Sequence, residues 1–68
     1  MPTVTLRVKA LMEERQLTVM DLARSAGVNY YTVLDIAGGK YKRIGLEIIA
    51  KLCAALDVQP GELFEYQK

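Results

Sequence analysis

Lys40, Tyr41, Lys42 and Arg43 place three cations in four residues, the densest basic cluster of the chain. Cations at that spacing suit the oxygens of successive phosphates, so the chemistry on offer is non-covalent recognition of a polyanion. An ordinary solvated turn has the same composition. The net charge of +1 decides nothing between these, but its distribution does. Residues 1–44 carry seven basic and four acidic side chains, net +3, while residues 45–68 carry two and four, net −2. A polyanion would meet the first two thirds of the chain. Arg24 is one more cation in that part, able either to reach a phosphate or to sit in solvent.

Covalent chemistry has much less to work with. The chain has no histidine, so the commonest general base is missing and Cys53 has no imidazole to activate it. A lone cysteine makes no internal disulfide, and these residues supply no zinc constellation. The reading is therefore no enzyme, no metal and no cofactor. Cys53 falls on an apolar stripe, where a cysteine acts as a small core hydrophobe. No run nears the roughly 20 apolar residues of a membrane span, and the start lacks the charged and apolar regions of a signal peptide. The expectation is a cytoplasmic protein without membrane contact, and no small-molecule ligand is evident.

These side chains need elements to hold them. With 68 residues, 51% of them hydrophobic, residues 1–68 are expected to form one domain with an efficient core. From Val4 to Arg15, Val4, Val8, Leu11 and Met12 share one face at helical spacing, which predicts helix one. The alternation Thr3, Val4, Thr5, Leu6, Arg7 also permits a strand-like arm and a later helix start. Thr18-Val19-Met20-Asp21 fits a capping box for helix two, over Val19 to Ala26, with Leu22, Ala23 and Ala26 inward and Gly27 ending it. Asn29 is a good N-cap for helix three, which runs from Tyr30 to about Ala37 before Gly38 and Gly39. Val33, Ile36 and Ala37 form its inner face, while Tyr31, Leu34, Asp35 and Gly38 point the other way with Tyr30 near the exposed end. Helix four spans Leu46 to Leu56 with Leu46, Ile49, Leu52, Cys53 and Leu56 as its buried stripe and Glu47–Lys51 as an outward pair. Gln59-Pro60-Gly61-Glu62 starts a short helix five that ends near Phe64.

Two short helices on a tight glycine turn, followed by a basic loop, make the geometry in which the second helix can enter a major groove. Leu17-Thr18, Leu22-Ala23, Gly27-Val28-Asn29, Thr32-Val33, Ile36 and Gly39-Lys40 resemble the Cro/cI-type (XRE) helix-turn-helix family. The likeness continues through Leu46 and Leu52-Cys53-Ala54-Ala55-Leu56 to Pro60-Gly61-Glu62-Leu63-Phe64, closest to the compact single-domain branch. The resemblance implies an all-α, five-helix, lambda-repressor-like domain, with the helix-turn-helix at about residues 18–37 and helix three as the recognition helix. It implies a transcriptional regulator, in most such proteins a repressor, that binds double-stranded DNA as a homodimer. It places Tyr30, Tyr31 and Asp35 where such proteins read bases, with Asn29, Thr32 and Leu34 beside them. Thr18 and Arg24 on helix two, and Lys40, Lys42 and Arg43 in the loop, would hold phosphates.

Three departures from the family pattern matter. Val19 stands where a phosphate-binding glutamine is common. Met12 and Ala37 replace a frequent buried arginine–glutamate pair, a large side chain against a small one that would fill comparable space without desolvating charge. Helix three has no Arg or Lys, so its reading of bases falls to tyrosine hydroxyls, to Asp35 accepting from cytosine, or to Leu34 against a thymine methyl. Plainer readings stand beside these: Tyr30 and Tyr31 as surface aromatics with wet hydroxyls, and Asp35 as a solvated residue whose charge repels phosphate. The alternatives from other classes are a protein-interaction module that binds through Tyr31 and Leu34, and an antitoxin-like protein with weak DNA binding. For an interface between copies, Leu63, Phe64 and Tyr66 are the candidates, together with the Thr3–Leu6 arm.

Overall fold

A computed structural model of the chain describes residues 2–68. Its elements are β1 (Thr3–Leu6), α1 (Val8–Glu14), α2 (Val19–Ala26), α3 (Tyr30–Ala37), α4 (Leu46–Leu56), α5 (Pro60–Leu63) and β2 (Phe64–Gln67). The five helices match the expected architecture, and a small sheet is added to it. β1 and β2 pair antiparallel in the register Thr3↔Gln67, Val4↔Tyr66, Thr5↔Glu65 and Leu6↔Phe64.

Helix one therefore starts at Val8 rather than Val4, and the strand-like alternative holds. Thr3, Val4 and Thr5 are β-branched, which favours a pleated surface, and the chain end at Phe64–Gln67 supplies the partner strand. Val4 leaves the predicted helical face and is 63% exposed. The Arg7 N–H donates to the Leu63 carbonyl at 2.8 Å, and its guanidinium to the Glu62 carbonyl at 3.2 Å. Those two bonds fasten the junction of strand and helix to α5.

Local signals set the helix ends. Both bonds of the capping box form at α2: Asp21 N–H donates to Thr18 Oγ1, and Thr18 N–H to Asp21 Oδ2, each at 3.1 Å. Gly27 closes the helix at φ 69°, a left-handed backbone that glycine adopts without a Cβ clash. Asp57 takes the same conformation, φ 56°, at the end of α4, where a side chain makes it costly. Pro60 opens α5, and the Gln59 N–H donates to Glu62 Oε1 at 3.4 Å.

The core draws on every helix and on the two three-residue turns that hold Val28 and Val58. Val8, Leu11 and Met12 from α1, Leu22 and Ala23 from α2, Val33 and Ile36 from α3, and Leu52 and Leu56 from α4 are buried, with Val28, Val58 and Leu63. No polar or charged residue among those described is buried, so no desolvated charge weakens it. Ile49 and Cys53 are half-buried on the predicted α4 stripe, but Leu46 is 84% exposed. The predicted stripe is therefore wrong at Leu46: α4 packs against α2 and α5 through Leu52 and Leu56, and its first residue stays in solvent. No helix among the described residues is long and apolar enough to cross a membrane.

Candidate nucleic-acid interface

α2 and α3 are joined by Gly27, Val28 and Asn29 alone. Val28 is buried, which ties the turn to the core, and Val33 and Ile36 seat α3 by its inner face. The outer face is consequently fixed in direction. Tyr31 is 70% exposed and Leu34 43%, with Asp35 and Tyr30 also exposed and Thr32 half-buried. The rings of Tyr30 and Tyr31 meet edge to face, 5.3 Å between centroids at 87°, so each restricts the other.

Asn29 and Thr18 have structural duties at this surface. Asn29 Oδ1 accepts from the Tyr31 N–H at 2.8 Å, which caps α3 and leaves the amide nitrogen as its free donor. Thr18 Oγ1 is engaged by Asp21. The Thr18 N–H, then its hydroxyl, and to a smaller extent the nearby Arg24 hold the Asp21 carboxyl below its ordinary value, against the opposing effect of burial.

Three of the nine cations lie near carboxylates. Arg7 and Arg15 both approach Glu14 at 3.9 Å, and Lys51 approaches Glu47 at 4.0 Å. Arg24, Lys40, Lys42 and Arg43 are exposed and meet no carboxylate within 4.0 Å among the described residues. Lys40 is brought in close behind α3, its N–H bonded to the Asp35 carbonyl at 3.0 Å. Gly39, at φ 75°, makes that return possible.

One cation was missed. Lys9 lines an open hollow of about 560 Å³ together with Thr18, Val19, Leu34 and Gly38, which puts it beside the start of α2 and the outer face of α3. Sequence spacing showed only that Lys9 faces away from the α1 core stripe, because its neighbours come from other helices. The floor of the hollow is Met12, Leu17 and Ala37. Met12 is buried and Ala37 half-buried against the core, and both border the hollow.

Comparison with known proteins bears on what this surface is. Residues 7–68 match the family model of the Cro/C1-type HTH DNA-binding domain. The chain belongs to that family. Among curated proteins, it is 27% identical over 64 residues to the uncharacterized HTH-type transcriptional regulator YozG of Bacillus subtilis, covering 94% of this chain and 76% of that one. Among solved structures, a Bacteroides fragilis protein described as DNA-binding superposes with a TM-score of 0.80 at 25% identity, covering 93% of this chain and all of the other. The restriction-modification controller protein C.AhdI of Aeromonas hydrophila superposes with a TM-score of 0.76 at 30% identity, covering 82% and 83%. In this Cro/C1-type domain the helix-turn-helix is formed by α2 and α3. Cys53 is no part of that surface: it is half-buried on α4 against the core, where burial, and then Glu62, push its thiol up.

Proposed function

We propose that this protein is a sequence-specific transcriptional regulator that lays α3 in the major groove of double-stranded DNA. The observation that carries the reading is the adjacency of two surfaces: the exposed tyrosine face of α3 and the unpaired cations that follow it at Lys40, Lys42 and Arg43. Arg24, Lys9 and the N–H groups of Val19 and Met20 in the first turn of α2, just past the Thr18 cap, supply further phosphate contacts on the other side of the helix. Tyr30, Tyr31 and the Asn29 amide donate to base edges. Asp35 accepts from cytosine N4, and Leu34 and Thr32 meet thymine methyls. Most of the affinity then comes from phosphate, and most of the discrimination from α3.

The working form is a homodimer on a pseudo-palindromic site, because one eight-residue helix reads too few bases alone. Repression by occupying the site is the mode favoured here, in the cytoplasm and as a single domain. YozG and C.AhdI, by their names a transcriptional regulator and a controller protein, support the regulatory role. The apolar hollow beside Leu34 favours a second reading, a protein-interaction module whose partner inserts an apolar side chain there. Selection from a random duplex pool separates the two. Enrichment of a palindromic site supports the regulator; recovery of no preferred sequence overturns it.

A further inference from the structure

We propose that a second copy of this chain adds to the free edge of β1, strand against strand, about a two-fold axis at Val4. The proposal rests on the dimer reading above and names where the dimer joins. Beyond the ladder to β2, Thr3–Leu6 make no other backbone hydrogen bond among the described residues, so one edge of this strand is unpaired. Proteins usually blunt such an edge with charge, but Thr3, Val4, Thr5 and Leu6 carry none. β2 does carry charge, at Glu65, and Lys68 follows it.

β1 is also self-complementary. An antiparallel two-fold at Val4 sets Val4 opposite its copy and Thr3 opposite Thr5 of the other strand, twice. It preserves the faces of the sheet, since opposed residues differ by an even number. One face then carries a continuous apolar row, Tyr66, Val4 and their two copies; Val4 and Tyr66 are 63% and 64% exposed in the single chain. The other face carries the threonine hydroxyl pairs, a favourable cross-strand combination. A small apolar hollow of about 220 Å³ separates β1 from Gly39, Tyr41 and Ile44, so the sheet lies beside the end of α3 and its basic loop. Joining copies there brings both loops toward the axis, with the two α3 helices flanking it. Four residues a side bury far less than the roughly 1,200 Å² of a stable interface, and the facing loops repel until phosphate neutralises them. The dimer is therefore weak in solution and strong on DNA.

Disulfide trapping tests the geometry without DNA. Residues opposed across an antiparallel ladder have Cα atoms about 4.5–5.5 Å apart, within reach of a disulfide. Tyr66 and its copy lie three strand spacings apart, about 14 Å, and out of reach. Under mild oxidation in about 0.5 M salt, which screens the loops, Val4→Cys is expected to form a covalent dimer, and Tyr66→Cys and the parent protein are not. By sedimentation equilibrium, Val4→Lys is expected to weaken dimerisation at least tenfold while circular dichroism remains that of the parent. Trapping at Tyr66 but not Val4 would move the junction to β2. A sedimenting dimer with no trapping at Val4 would overturn the proposal and leave dimerisation standing at another surface. No dimer in solution or on a palindromic duplex would overturn both.

Discussion

Removing Lys42 and Arg43 together should change how binding responds to salt by an amount that can be worked out beforehand. Five cations of each protomer flank α3 without a carboxylate partner: Lys9, Arg24, Lys40, Lys42 and Arg43. If each neutralises one phosphate, two copies release counterions from ten, and the logarithm of affinity falls with the logarithm of salt at a slope of about −9. The double alanine variant keeps six contacts, for a slope of about −5.4. Between 50 and 200 mM salt the parent should lose affinity by roughly 10⁵-fold and the variant by roughly 10³-fold. Both residues are exposed and outside every element, so the fold should not change. Fluorescence anisotropy on a selected duplex, titrated at four salt concentrations, gives both slopes. Equal slopes would refute the reasoning, because two cations that touch phosphate cannot be removed without reducing counterion release.

Other consequences concern the frame that holds α3. Thr18→Ala removes one bond of the α2 capping box and should lower stability by about 1 kcal/mol, read by thermal or urea melts; an unchanged midpoint would mean that the box is idle. The depressed Asp21 carboxyl gives that box a pH dependence. Its stabilisation is fully present above the ordinary carboxyl value of 3.8 and is lost as pH falls through the lower folded value. Acid melts of Asp21→Asn and the parent should therefore converge only below that range, and a parallel course throughout would contradict the linkage. Asp57→Gly relieves a left-handed backbone and removes a negative charge from the C-terminal end of α4, so it should stabilise by roughly 1 kcal/mol. A lower melting temperature for Asp57→Gly would show that the aspartate is favourable there.

Features written in adjacent residues were legible in the sequence, and features made by distant ones were not. The α2 capping box, the glycine turn and the N-cap at Asn29 are local chemistry, so the limits of α2 and α3 follow from a few residues each. The outward direction of Tyr31, Leu34 and Asp35 follows from helical periodicity alone. β2 was not legible, since Phe64–Gln67 becomes a strand only because Thr3–Leu6, at the opposite end of the chain, lies beside it. Leu46 shows the same limit from another side: periodicity groups residues by face but does not say how much of that face its neighbours cover. Lys9 and the hollow near Ala37 belong to the meeting of α1, α2 and α3, which no single segment encodes.

The central claim is that the outer face of α3 discriminates among DNA sequences, and Tyr31 is its most exposed large residue on that helix. The direct measurement is the ratio of affinities for the selected site and a scrambled duplex, at one salt concentration, for the parent and for Tyr31→Ala. Loss of a good base contact is worth about 1–3 kcal/mol per half-site. With two half-sites the ratio should therefore fall by about 30-fold or more while scrambled-duplex affinity and salt slope stay the same. An unchanged ratio, or a loss shared equally by both duplexes, would contradict the account.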